Sequence, residues 1–212
     1  MKYYLYISDS KVDMLFPQIP QDIKKKVATE YKIDLKVFSA ARKVETETPD
    51  DRIARLDTVC DFIEQYADVQ SADGTGEYVK DTLLMKWGKL AGGPSVYFTG
   101  TTPSGTVVGL GGSAHHLIGV KTPPTLDYTF SSALPAIEHN LTEFFGSRID
   151  SEGSADDADL LDSAFWAQSR MKGREETLTF LAKRLCFGQA LGPRHKPCEV
   201  IIGTPLYVEL AD

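Results

Sequence analysis

Two stretches carry residue types able to do chemistry. The first, GLGGSAHHLIG (residues 109–119), sets three glycines within four residues, then a serine and two adjacent histidines. Glycines let a backbone approach a ligand closely, and successive N–H groups can form an anion-binding nest. In that reading Gly111 and Gly112 present amides, and Ser113 caps a short helical turn beginning at Ala114 that aims at a phosphate or carboxylate. His115 or His116 then donates a hydrogen bond, or acts as general acid or base near neutrality. The competing reading is a strand-exit bend that needs no ligand.

The second stretch, YISDSKVD, ends a strand in Ser8, Asp9, Ser10 and Lys11. Polar groups at a strand exit often build ligand sites in α/β sheets. Asp9 suits a metal or a hydroxyl, and Lys11 suits an anion. A plain Asx-type turn accounts for the same residues and is slightly favoured. A third cluster, CFGQALGPRHKPC, holds Cys186, His195 and Cys198. Its spacing matches no tight zinc pattern, so it reads as a surface loop with a basic patch, and no metal is expected.

Several function classes lack their signatures. GLGGSA does not fit the dinucleotide fingerprint, no phosphate-binding P-loop motif occurs, and G-x-S-x-G is absent. No cofactor is therefore expected. The aromatic residues Tyr3, Tyr4, Tyr6, Tyr97, Phe98 and Tyr207 fall on expected strands, where core packing is commoner than base stacking. The net charge of −7 and pI of about 5.1 give no global drive toward long nucleic acid or anionic membrane. No apolar run reaches the roughly 18 residues of a membrane span, and the N-terminus does not read as a signal peptide. Three sparse cysteines suit a reducing cytoplasm better than a disulfide framework.

The elements that must position these residues follow from pattern and punctuation. Residues 2–8 read as a buried strand, 21–32 as a short helix and 34–40 as a second strand. The strongest helix signal is 49–68, with Thr48 as N-cap, Pro49 at the first position and acidic residues in the first turn. Its apolar stripe is Ile53, Leu56, Val59, Cys60, Ile63 and Tyr66. Residues 78–111 read as an antiparallel meander. Helices are expected over 132–145, 160–169 and 174–186, with a mobile acidic loop at 150–159. The closing CEVIIGTPLYVEL reads as a strand in which Pro205 marks a bulge, bend or edge. Together these predict a single α+β domain over residues 1–212, a largely antiparallel sheet of about six strands with helices packed on it.

YYLYISDSKVDMLFPQIP, VVGLGGSAHHLIG, FLAKRL and VIIGTPLYVEL together resemble a bacterial family of uncharacterised domains, and the likeness covers nearly the whole chain. That family shows a YLYVSDTKVDML-like N-terminus, a GS-x-x-H-x-x-G element and a C-terminal GTPLYV strand. The matching positions are Ser8, Asp9, Lys11 and Asp13, and then Gly112, Ser113, His116 and Gly119. The resemblance implies a cytoplasmic bacterial module, sometimes found near signalling or defence-type genes, and brings no established activity.

Three functions stay open. The first expectation is a sensor that holds a small anionic metabolite or nucleotide messenger with Ser8, Asp9, Lys11, Gly111, Gly112, Ser113, His115 and His116. The second is a phosphodiester or nucleotide hydrolase using His116 and Asp9. The third is a protein-interaction module with no small-molecule site, its partner another protein or a second copy of the chain. The sensor ranks first, because no complete set of nucleophile, base and orienting group can be assembled from these residues.

Overall fold

The two ends of the chain lie side by side, as the strand reading of both termini requires. Strand β1 (Tyr3–Ile7) runs antiparallel to the C-terminal strand β7 (Pro197–Leu210), with Tyr3 opposite Leu210 and Ile7 opposite Tyr207. The computed structural model describes residues 2–24, 49–90, 95–119, 137–139, 141, 157–191 and 196–211. The chain forms two units, Ser8–Val69 and Met1–Ile7 with Gln70–Asp212.

The larger unit is built on a ring of strands. Strand β3 (Tyr78–Lys89) pairs with β4 (Ser95–Thr101), which pairs with β5 (Val107–Ser113), all antiparallel. Strand β5 then lies parallel to β7, and β7 is antiparallel to β6 (Glu176–Leu191). Strand β6 returns to pair with β3, so the five strands close on themselves. The short β2 (Val69–Gln70) and β1 complete a seven-stranded, mostly antiparallel sheet. Three consecutive strands, a helix and a returning pair make a five-stranded Greek-key barrel, and closure leaves few open edges.

Alternation fills this ring. Val79, Leu83 and Met85 of β3 point inward with Val96 and Phe98 of β4 and Val108 and Leu110 of β5. Leu178, Phe180 and Ala182 of β6 and Ile201 and Val208 of β7 meet them there. Each large aliphatic side chain so buried contributes roughly 1.5–3 kcal/mol. The expected helix over 174–186 is therefore corrected to a strand. Leu178, Leu181 and Leu185 do sit at helical spacing, but the ladders to β3 and β7 and the period-two burial of Leu178, Phe180 and Ala182 decide the conformation. Pro205 lies beside a register shift, opposite Ala182 while Tyr207 faces Leu181, so one extra residue bulges there as expected.

The outer face of β4, β5, β6 and β7 carries helix α3 (Asp157–Arg170), most closely against β6. Leu160, Leu161, Ala164 and Ala167 recur at helical spacing and pack with Tyr97, Val107, Val200 and Ile202. The expected acidic loop thus ends earlier than expected, because residues 157–159 already belong to α3; residues 150–156 lie outside the described set. Residues 137–139 and 141 are helical, as the 132–145 reading requires.

The β4–β5 turn is pinned from a distance. The Asp73 carboxylate accepts hydrogen bonds from Ser104 and from Thr102 Oγ1 (2.8 Å), while Gly105 takes the left-handed φ of 100° that the turn requires. The Ser104 bond, with that from Thr102, holds the Asp73 carboxyl below its usual value against a smaller opposing effect of burial. A depressed folded pKa stabilises above the usual carboxylate range and is lost as pH falls. Asp73→Asn is accordingly expected to show a shallower loss of melting temperature than wild type between about pH 5 and 3, read by thermal melts.

The smaller unit contains α1 (Asp9–Leu15), a 3-10 turn (Phe16–Gln18), helical residues 21–24 and α2 (Pro49–Tyr66). Leu56, Val59, Cys60 and Ile63 are buried as the stripe predicts, whereas Tyr66 is 59% exposed and stands beside Phe62. The expected 34–40 strand, the Thr48 cap and most of the 21–32 helix fall outside the described residues.

Candidate functional site

The two chemical stretches fall in different units. Ser8, Asp9 and Lys11 belong to Ser8–Val69, and Gly111, Gly112, Ser113, His115 and His116 to the barrel unit.

In the barrel unit the glycines are strand residues. Gly111 and Gly112 are extended in β5, opposite Tyr97 and Val96 of β4. Positive φ among the described glycines occurs only at Gly105 and Gly119, so the alternating backbone of a nest is not what residues 109–112 adopt. Their missing side chains make room for protein. A β carbon on Gly111 would stand 2.7 Å from Ile137 Cδ1, and one on Gly112 2.8 Å from Tyr6 Cζ. Ser113 does cap a 3-10 turn over Ala114–His116, its Oγ accepting from the His115 N–H at 3.3 Å. Ser113 and His115 are exposed; His116 is half-buried, its ring edge-on to Tyr6 at 5.8 Å.

In the smaller unit, Ser8 is buried and starts α1: its carbonyl accepts from the N–H groups of Lys11 (3.1 Å) and Val12 (3.0 Å). One turn on, Lys11 donates from Nζ to Ser8 Oγ at 3.2 Å, and Ser10 Oγ lies 3.5 Å from Ser8 Oγ. Both carboxylates of α1 are taken up by α2. Arg52 holds Asp9 bidentately at 2.7 and 2.8 Å, and Arg55 pairs with Asp13. Arg55 also stacks its guanidinium over Phe16 at 5.1 Å. Burial pushes the Lys11 ammonium down to about 8, since a charge taken from water is disfavoured.

The sequence reading placed Ser8, Asp9 and Lys11 at one strand exit but missed the arginines. A residue pattern that pointed to them exists: on α2, Arg52 and Arg55 are three apart, matching the one-turn offset of Asp9 and Asp13 on α1. The remaining candidates do not converge. Cys186 sits opposite Ile202 and Cys198 opposite Ala190, four positions apart along β6 and so about 13 Å. His195 lies outside the described residues. Among the described residues no group of three or more His, Cys, Asp or Glu side chains could hold a metal.

The barrel also bears on nucleic acid. Five-stranded barrels that bind oligonucleotides use the face of their second and third strands. Here those strands are β4 and β5, their outer face lies under α3, and Tyr97 is buried there. Among the described residues no helix is long and apolar enough to cross a membrane.

The fold is thus that of an α+β domain protein with a largely antiparallel, ring-closed sheet. A model described as a family of unknown function, DUF7019, matches residues 2–212, and the chain belongs to that family. No curated protein and no solved structure matches the chain.

Proposed function

We propose that this protein is a binding module for a small anionic ligand and that Lys11 is its anchoring charge. One observation carries the reading. Lys11 Nζ donates to the Ser8 hydroxyl at 3.2 Å in surroundings that hold its ammonium largely out of water, and the Arg52 and Arg55 guanidiniums reach α1 beside it. An anion arriving at Nζ would offset the burial cost that the folded chain already bears. Ser8 and Ser10 add hydroxyl groups, and Asp9 serves by fixing Arg52. Ser113, His115 and His116 offer a second polar surface in the barrel unit. The hydrolase reading with Asp9 as the partner of His116 is weaker, since Arg52 already occupies both Asp9 oxygens. None of the three cysteines forms a disulfide, which suits a cytoplasmic setting, and a sensor role in signalling or defence is what the family resemblance would add.

The test is a thermal-shift and calorimetric screen of phosphates, nucleotides, cyclic oligonucleotides and small carboxylates against wild type, Lys11→Gln and His116→Ala. A ligand at a hundred times its Kd should stabilise wild type by about 2.7 kcal/mol. The expected pattern is loss of that shift in Lys11→Gln, retention in His116→Ala, and proton uptake on binding near pH 8. A panel with no shift, or shifts equal in wild type and Lys11→Gln, overturns the reading.

A further inference from the structure

Strand β6 runs on past the end of its pairing with β3 and leaves an open edge. Its ladder to β3 ends at Lys183, opposite Tyr78, with the Arg184 N–H donating to the Glu77 carbonyl at 3.0 Å just beyond. Its ladder to β7 continues to Leu191, opposite Pro197, so residues 186–191 are paired on one side only. The register shift between Arg184 and Cys186 adds a residue there. Because Arg184 points its N–H toward β3, one extra residue turns the backbone groups of Phe187 and Gln189 to that same side, away from β7. Leu191 gives the same direction independently. Its N–H donates to Asp162 Oδ1 at 2.8 Å, and alternation along the strand carries that direction back to Gln189 and Phe187. Among the described residues the N–H groups of Phe187 and Gln189 have no acceptor.

The side chains match this edge. Phe187 is 45% exposed and Leu191 56%, on either side of exposed Gln189, while Leu161 of α3 closes on Gly188 from the opposite face. The stretch CFGQAL (residues 186–191) has neither charge nor proline, the devices by which strand edges are kept apart.

We propose that this edge binds a second copy of the chain, the two β6 strands pairing antiparallel about a twofold axis at Gly188. The interface lies in the barrel unit and does not depend on the Lys11 reading. The open groups select both occupant and register. With the axis at Gly188, Phe187 of each copy stands opposite Gln189 of the other, and each facing pair exchanges two N–H···O bonds. The edge is thus its own complement. An axis at Gln189 would need the Leu191 N–H, which Asp162 already holds. With the axis at Gly188, Leu191 lies diagonal to Phe187 of the second copy, within reach of its ring, and both apolar side chains leave water. A strand from another protein would satisfy the same groups, and the experiment separates the two.

The full chain is studied by sedimentation velocity and hydrogen exchange between about 1 and 200 μM. Wild type is expected to show a monomer–dimer equilibrium with a Kd of order 10 μM, as suits a small interface. The Phe187 and Gln189 amides should exchange about fivefold more slowly at the high end than at the low end, because only the dimer protects them. Gln189→Pro removes an N–H that β7 does not use, and should leave a folded monomer with dimerisation weakened at least about tenfold. The double variants Phe187→Lys/Gln189→Lys and Phe187→Glu/Gln189→Glu set like charges opposite one another, so each alone should be monomeric and their mixture should form a heterodimer. Wild type that stays monomeric at about 200 μM, with equal exchange at both ends, overturns the proposal and leaves the edge to a strand of another protein. A dimer that persists in Gln189→Pro and in both charged variants places the contact elsewhere and overturns it too. Exchange on wild type needs no variant, so the outcome stands even where a substitution fails to fold.

Discussion

Gly109→Ala is expected to lower the unfolding free energy by about 3 kcal/mol, a loss typical of overpacking in a well-packed layer. A β carbon at this position would stand 2.8 Å from Tyr97 Cζ and closer still to its hydroxyl. Tyr97 is wholly buried beneath α3 and has no room to swing aside. Its hydroxyl has no hydrogen-bond partner among the described residues, and burial pushes its ionisation up out of reach. Tyr97→Phe alone should therefore be neutral or stabilising by up to about 1 kcal/mol. Combining Gly109→Ala with Tyr97→Leu should recover much of the loss, because the clash is with the ring rather than with the backbone. Urea unfolding of the single and double variants reads this coupling. A Gly109→Ala protein within about 0.5 kcal/mol of wild type would show that the tyrosine is not fixed by the helix above it.

Lys11→Met is expected to stabilise the fold by about 2 kcal/mol at pH 7 and to lose that advantage by about pH 10.5. Burial holds the folded-state Lys11 near 8, against 10.5 for an ordinary lysine. Below pH 8 both folded and unfolded chains carry the charge, and the folded one bears its full burial cost. Between 8 and 10.5 the unfolded chain binds more protons, so wild-type stability rises with pH relative to the methionine variant. Above that window both states are neutral and the difference vanishes. Chemical unfolding at pH 7 and at pH 10.5 gives the comparison. An equal advantage at both would assign the effect to packing rather than charge.

Particular residues show how much was legible. Ser113 as the cap of a turn beginning at Ala114 was readable, because a serine bonds the N–H two residues on and needs no distant partner. The apolar stripe of α2 was readable down to Ile63, and Tyr66 failed because periodicity marks a face without saying what covers its end. Strand β6 was misread, since Leu178, Leu181 and Leu185 satisfy a helical period as well as Leu178, Phe180 and Ala182 satisfy a strand's. Only two neighbouring strands with open hydrogen-bonding edges settle that ambiguity.

By itself, the sequence determined an α+β protein, its meander, its two terminal strands, a helix starting at residue 49 (read to 68, ending at 66) and the make-up of the two polar stretches. These depend on propensity, caps and periodicity, which act over a few neighbouring residues. The tertiary structure alone decided what surrounds those stretches. The space beside Gly109, Gly111 and Gly112 is taken by Tyr97, Ile137 and Tyr6. Arg52 and Arg55 reach back 43 and 42 residues to occupy Asp9 and Asp13, while Lys11 is drawn out of water beside Ser8. Close approach and desolvation are properties of segments folded together from far apart, and no local pattern records them.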